Sequence, residues 1–466
     1  MTDRISRALA DAEPVVFWLD DPAAPDPEPP VTGSLRTDLA IVGGGYTGLW
    51  TALLAKERYP ELDVVLLEAN TCGWAASGRN GGFCDASLTH GFANGLARWP
   101  DELADLDRLG RANHAAIAAT VTRLGIDCGW EPTGELTVAT APHHLAELAE
   151  EVDERRAFGH DVTLLDGPAI QAEVGSPTYL GALSDPTGTA LVEPARLAWG
   201  LRRACLEAGV RIHEGTRVLG VRRDGAARLL RTATGSVRAQ RVALATNAFP
   251  SLVRRLRRYT VPVYDLVLMT EPLSPDQLAA IGWKGRQGIG DASNFFHYYR
   301  LTRDQRILWG GYTPLYSFGS RIHPDLEQRA AIHRMLAEHF FTTFPQLDGL
   351  RFTHKWGGVI DTSTRFCAFF GTASAGRIGY ALGYTGLGVG ATRFGAEVML
   401  DLLYDEATER TRLRLVRERP LPFPPEPLRS AGIQLTRYSM RHADTHGGRR
   451  NLWLRTLDRF GLGFDF

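Results

Sequence analysis

The chain of 466 residues has little that would tie it to thiol, metal or polyanion chemistry. Its five cysteines, Cys72, Cys84, Cys128, Cys205 and Cys367, are dispersed, with no C-x-x-C and no metal-like Cys/His spacing. An odd, scattered set fits buried free thiols in a reducing compartment, and no metal site is expected. No apolar run approaches the ~18 residues of a membrane span, and the opening stretch, MTDRISRALADAEPVVFWLDD, has no apolar core of signal-peptide length. The expected location is therefore the cytoplasm, with no integral membrane association. A net charge of −1 argues against nucleic acid as the principal partner, and the cluster Arg254, Arg255, Arg257 and Arg258 reads as a solvated face. Lysine is nearly missing: Lys56, Lys284 and Lys355 are the only three, the rest of the 52 basic residues being arginine. Few lysines could therefore act in catalysis. No Ser-His-Asp set, no paired carboxylates and no internal repeat stand out.

What is present begins with length, which implies two or more domains. Residues 1–35 are proline-rich toward their end and are expected to form an extended arm anchored by Phe17 and Trp18. From Arg36 the sequence DLAIVGGGYTGLWTALLAKERYPELDVVLLEAN reads as strand, glycine turn, helix and strand. Gly43, Gly45 and Gly48 form a G-x-G-x-x-G around Tyr46 and Thr47. Such a turn allows close approach of backbone to a pyrophosphate at a helix N-terminus. Glu68, followed by Ala69, ends the next strand twenty residues after Gly48, where a ribose hydroxyl needs an acceptor. Together these imply a dinucleotide, and glutamate disfavours a 2′-phosphate.

A second glycine run, GWAASGRNGG (residues 73–82), follows at once. Its small residues permit close contact, and its polar ones suit a loop that wraps a ligand rather than plain solvent. Downstream, residues 99–154 are mainly helical in pattern around a short strand GELTVAT, and VEPARLAWGLRRACLEAG is an amphipathic helix. A β-rich zone covers about 261–311, and RIGYALGYTGLGVGATRFGAEVMLDLLYD reads as strand, glycine turn and helix. That late turn is not followed by an acid-ended strand, so a second, NAD(P)H-type site is not expected.

The set VGGGYTGLWTA, LEAN, ASGRNGG, VEPARL, LATNAF and GYTGLGV resembles the D-amino-acid oxidase/glycine oxidase superfamily of FAD proteins. ASGRNGG and YYRLT…WGG look closest to its γ-glutamylputrescine oxidoreductase-like branch. The resemblance covers roughly residues 36–405. It implies an α/β protein with a Rossmann-like FAD-binding domain and a mixed-sheet α+β substrate domain, both discontinuous. The FAD domain is expected from 36–98, 166–258 and 356–440, the substrate domain from 99–165 and 259–355, with a basic, amphipathic segment 441–466 docked on the body. FAD, held non-covalently because Cys367 sits too late to match an attachment point, would contact Ser77, Arg79, Asn80, Gly81, Gly82, Val218, Thr246, Gly383, Gly386, Leu387, Gly388 and Val389 besides the first turn.

The implied activity is oxidation of a primary or secondary amine to an imine by hydride transfer to flavin N5. O2 or another electron acceptor would then reoxidise the flavin. Catalytic candidates are Tyr264, His297, Tyr299, Trp356 and Lys355; substrate-contact candidates are Asp265, Phe295, Arg300 and Tyr384. An aromatic cage suits an amine. Trp356-Gly357-Gly358 occupies the place where amino-acid oxidases carry a carboxylate-clamping arginine, unless Arg300 or Arg365 replaces it. Trp309 stands where sarcosine-oxidase-like members use a lysine toward oxygen. The alternatives are an amino-acid oxidase or dehydrogenase, and a flavin-binding protein without turnover.

Overall fold

The structure, a computed structural model, describes residues 2–462. Two large sheets hold most of the strands, and Phe83–Asp85 pairs with Thr189–Leu191 in a small two-stranded third. In the first, strand Gly33–Val42 pairs in parallel with Val64–Leu67 and with Gly235–Leu244. Arg211–His213 and Ile378–Leu382 extend the parallel set, and Phe369–Ala373 forms an antiparallel edge. Residues 39–42 and 64–67 are buried throughout, as parallel strands covered on both faces must be. Helices Tyr46–Arg58, Pro194–Glu207 and Gly388–Leu403 contribute Leu49, Leu53, Leu197, Leu201, Val398 and Met399 to one core on this sheet.

The second sheet is built around Thr260–Thr270, antiparallel to Phe352–Ser363 and Ile307–Gly311. It continues through His297–Leu301, Gly288–Asp291, Glu135–Ala139, Gly181–Asp185 and Thr163–Leu165. Helix Ala330–Thr343 covers one face, where Leu336 and Phe340 pack among Tyr264, Leu266, Leu268, Tyr299 and Trp309. The opposite face meets the glycine loops of the first sheet.

Three expectations change. Gly181–Asp185 pairs with Glu135–Ala139, so it belongs to the second sheet and not with residues 166–258 of the first. The expected division at 356 falls inside strand Phe352–Ser363, which pairs with Thr260–Thr270 along its whole length. Both errors have one cause: the choice of partner strand is long-range and leaves no local signature. The arm is not extended throughout, because Thr2–Ala8 lies ahead of its prolines, forms a helix and buries Ile5 and Ala8 in the core of the second sheet. Beyond it, Phe17–Leu19 makes one 3₁₀ turn, and the first strand starts at Gly33.

Helices Leu428–Thr445 and Leu452–Arg459 pack together near the end of the chain. Met440, Ala443 and Leu454 bury there with Phe295. Residues 463–466 of the expected C-terminal segment lie outside the described residues. Among those described, no helix is long and apolar enough to cross a membrane.

Candidate active site

A cavity of about 1520 Å³ lies between the sheets, and the C-terminal helices supply part of its wall through Leu435, Met440 and Trp453. It exceeds the roughly 300–1,000 Å³ of a usual single-ligand pocket, leaving room for a dinucleotide and a substrate together.

The first glycine turn forms one end. Gly43 has φ +113°, and a Cβ there would stand 2.3 Å from the Ala245 carbonyl oxygen, so only glycine fits. A Cβ at Gly48 would meet the Gly43 carbonyl at 1.8 Å; this glycine packs helix on turn and is off the cavity wall, correcting its expected contact role. Gly45, Tyr46, Thr47, Glu68, Ala69, Val218 and Thr246 are all on the wall. The Glu68 carboxylate accepts the Gly44 N–H at 2.6 Å and the Asn70 N–H at 2.8 Å. Burial pushes its pKa up, and lone pairs remain for hydroxyl donors.

The second glycine run is tied to the first. Ser77 Oγ accepts the Tyr46 N–H at 2.9 Å, in the first turn of helix Tyr46–Arg58. Asn80 bonds within its own loop, donating to the Ala76 carbonyl at 2.9 Å and accepting from the Gly82 N–H at 2.8 Å. Arg79 pairs with Glu327 at 2.5 Å and donates to the Trp74 carbonyl at 3.0 Å, with its guanidinium 4.9 Å from the Trp74 ring. Two indoles from remote segments complete the support: Trp18 donates to the Asn80 carbonyl and Trp356 to the Arg79 carbonyl, both at 2.9 Å. Trp18, read from the sequence as a packing anchor only, thus also holds this loop. Ser77, Arg79, Asn80 and Gly81 face the cavity. Gly82 does not, because its Cβ position lies 2.1 Å from the Val192 carbonyl oxygen.

The late turn closes the other side. Gly386, Leu387, Gly388 and Val389 line the cavity at the uncapped N-terminus of helix Gly388–Leu403, whose free N–H groups and positive dipole end attract negative charge. Gly383, with φ +80°, stands behind them and donates its N–H to Asp361; the Tyr384 N–H reaches the same carboxylate at 3.2 Å. Burial raises the Asp361 pKa to about 7. Nothing local in the sequence marks Asp361, which meets the turn only through the strand Phe352–Ser363.

The donor set fits FAD. The Thr246 and Thr392 hydroxyls are buried, lie on the cavity wall and have no protein hydrogen-bond partner. Two helix N-termini, the Glu68 acceptor and glycine backbone from three chain regions surround the same space. The turns would hold the pyrophosphate and ring, with Glu68 on the ribose, and FAD supplies a two-electron acceptor.

On the substrate side, strand alternation decides which side chains take part. Val261, Val263, Asp265 and Val267 line the cavity, and Tyr264 between them points away. Across the antiparallel pair, Asp265 is opposite Gly358. Tyr298 faces the cavity too, its ring lying between Gly81 and Gly310, and its hydroxyl donates to Asp265 at 2.5 Å. His297 and Tyr299 flank it on the other face.

The catalytic candidates therefore need correction. Tyr264 is buried, its hydroxyl near the His323 backbone. Tyr299 bonds to the Tyr179 hydroxyl at 2.6 Å. His297 stacks 5.0 Å from the Tyr312 ring and bonds to His339 at 2.9 Å; burial lowers its pKa to about 3, so it is a neutral core residue. Trp356 supports the loop, and Lys355 is off the cavity wall. Trp309 is in the core beyond the sheet; Gly310, on the opposite face of that strand, lies beneath the Tyr298 ring.

Among the substrate-contact candidates, Asp265, Phe295 and Tyr384 are on the wall. The Tyr384 hydroxyl turns toward helix Gly388–Leu403, where a Cβ on Gly395 would meet it at 2.2 Å. Arg300 lies under the second glycine run, donating to the Val192 carbonyl at 2.6 Å. Arg365 donates to the Leu415 and Glu418 carbonyls at 2.9 and 3.0 Å. Neither arginine reaches the cavity. Away from it, His143, His144 and Glu147 bring ligand-type atoms within 4.8 Å of one another, a grouping the sequence reading had not noted.

A parallel nucleotide sheet, two glycine-lined helix N-termini on one cavity and a mixed sheet facing them define a flavoprotein oxidoreductase. The chain belongs to the FAD dependent oxidoreductase (DAO) family, whose model matches residues 38–402. It is 33% identical to the γ-glutamylputrescine oxidoreductase of Escherichia coli (strain K12) over 386 residues, covering 80% of this chain and 85% of that one. It is 27% identical to the glycine oxidase of Geobacillus kaustophilus over 311 residues, 63% of this chain and 78% of the relative. The crystal structure of glycine oxidase from Geobacillus kaustophilus superposes with a TM-score of 0.69 at 22% identity, covering 80% of this chain and 96% of the other. L-proline dehydrogenase from P. horikoshii gives 0.66 at 16% identity, over 81% and 95%. The cofactor is FAD.

Proposed function

We propose that this protein oxidises a C–N bond of a primary or secondary amine to an imine, which water then splits into a carbonyl compound and an amine or ammonia. One observation carries the choice of amine over amino acid. The cavity wall holds the half-buried carboxylate of Asp265, with no ion-pair partner among the described residues; neither Arg300 nor Arg365 reaches that wall, and Arg79, which does, is paired with Glu327. Burial raises the Asp265 pKa to about 6, and the Tyr298 hydroxyl orients it. A substrate ammonium would supply the missing charge, while Phe295 and the Tyr298 ring offer apolar contact and exclude water. The similarity to γ-glutamylputrescine oxidoreductase supports the same reading. Cys367 is buried and off the cavity wall, which supports non-covalent FAD.

A second reading, a dehydrogenase using an acceptor other than O2, is favoured by the absence of Lys56, Lys284 and Lys355 from the cavity wall. The test is anaerobic mixing of purified yellow protein with panels of amines and amino acids. Bleaching by an amine is expected. Bleaching by amino acids alone would replace the amine reading, and no bleaching by either panel would favour a non-catalytic flavoprotein. Hydrogen peroxide release in air then separates oxidase from dehydrogenase.

A further inference from the structure

The C-terminal helix pair lies beyond the family match at residues 38–402, and its exposed Tyr438, Leu452 and Phe460 are off the cavity wall, while Leu428 and Leu435 stand at the rim of that wall. Among the described residues, twelve large apolar side chains are exposed, and half of them fall between 421 and 460: Leu421, Leu428, Leu435, Tyr438, Leu452 and Phe460. Phe318, 66% exposed, joins them through its loop, because the Gly319 N–H donates to Glu426 at 3.0 Å.

Helical geometry explains the grouping. Leu428, Leu435 and Tyr438 recur on one side of helix Leu428–Thr445, with exposed Arg441 next round the helix from Tyr438, while Met440 and Ala443 bury inward. On helix Leu452–Arg459, Leu452, Arg455 and Arg459 point outward with Phe460 just beyond, and Leu454 is fully buried. The body already covers the inner side; the outer side stays apolar and basic.

Charge identifies the occupant. Residues 428–462 hold seven arginines against Asp444 and Asp458. Asp444 accepts from Asn294 and from the Phe295 N–H, and Asp458 pairs with Arg450. Arg441, Arg449, Arg455 and Arg459 are exposed and form no ion pair with a described residue. A two-fold contact with a second copy would set these four cations against themselves. Leucine and aromatic side chains interleaved with unpaired arginines instead match the boundary of acyl chains and phosphate headgroups.

We propose that this face docks the enzyme peripherally on an anionic phospholipid bilayer. Leu428 and Leu435 also border the cavity, so its entrance lies on the docked side.

The test is co-sedimentation of the FAD-loaded full chain with phosphatidylcholine vesicles with and without phosphatidylglycerol. Binding only to phosphatidylglycerol vesicles, weakened by salt, is expected. Arg455→Glu with Arg459→Glu should lower partitioning about tenfold or more, and Leu452→Ser with Phe460→Ser should also weaken it. Unchanged flavin absorbance would show that the variants remain folded. The proposal falls if the wild type stays in the supernatant with phosphatidylglycerol at low salt, or if both double variants bind as it does. Retention on polyglutamate beads without vesicle binding would replace the bilayer by an acidic protein. A dimer dissolved by Leu452→Ser with Phe460→Ser, again without vesicle binding, would replace it by a second copy.

Discussion

Two tyrosines stand side by side on strand His297–Leu301 and have opposite roles. Tyr298 lies over Gly310, faces the cavity and orients Asp265. Tyr299 faces helix Ala330–Thr343, stacks 4.4 Å from Trp309 and closes a hydrogen bond with Tyr179. The same contrast separates Asp265 from Tyr264 two strands away. Residue type cannot distinguish Tyr298 from Tyr299; in both pairs, position in the two-residue alternation decides which side chain meets the cavity. One face of this sheet lines the cavity and the other is core, so substitutions on the two faces should fail in different ways.

The largest effect is expected on the core face. Trp309→Ala should remove about 3–5 kcal/mol of stability, read by denaturant unfolding, while the flavin-bound fraction that remains folded turns over at the normal rate. Loss of turnover without loss of stability would break the assignment of faces. Next, Asp265→Asn should raise KM for the amine about 100-fold, by removing a half-buried charge partner, with unchanged unfolding and flavin content.

The pH dependence sharpens the same point. With the Asp265 pKa raised to about 6 by burial, kcat/KM for the amine should climb as pH rises through about 6, because only the carboxylate attracts an ammonium. That step should vanish in Asp265→Asn, and a step that persists would assign it to another group. Tyr298→Phe should cost about tenfold in kcat/KM through loss of one hydrogen bond to a charged group, whereas Tyr299→Phe should leave kcat/KM unchanged. The smallest effect belongs to the loop supports. Trp18→Phe or Trp356→Phe removes one indole donor, about 1 kcal/mol, and should weaken FAD retention severalfold in a dialysis assay without changing kcat of the loaded enzyme.

The nucleotide half was legible because its signals are local. Gly43, Gly48 and Glu68 act within one short strand–helix–strand unit, where the turn, the helix and the acid follow from spacing alone. The second glycine run could be read as ligand-facing for the same reason, although Asn80 and Arg79 prove to be engaged largely in holding their own loop. The substrate half was not legible. Tyr264, His297 and Tyr299 were attractive as polar aromatics, but the sequence does not say which strand face meets the cavity, and choosing the wrong parity moves a side chain to the opposite face. Trp356 failed differently: it lies beside the site and serves through its indole N–H.

By itself the sequence determined the dinucleotide turn, its ribose acid, the glycine positions that exclude a Cβ and the late helix start, since each depends on neighbours a few residues away. The tertiary structure alone decided four things. It selected the cavity-facing side of the second sheet, joined Asp361 to the late turn, brought Trp18 and Trp356 to one loop, and placed the C-terminal helices against the cavity wall. Each of these arises where distant segments pack together, and such packing is fixed by the whole core rather than by any local pattern.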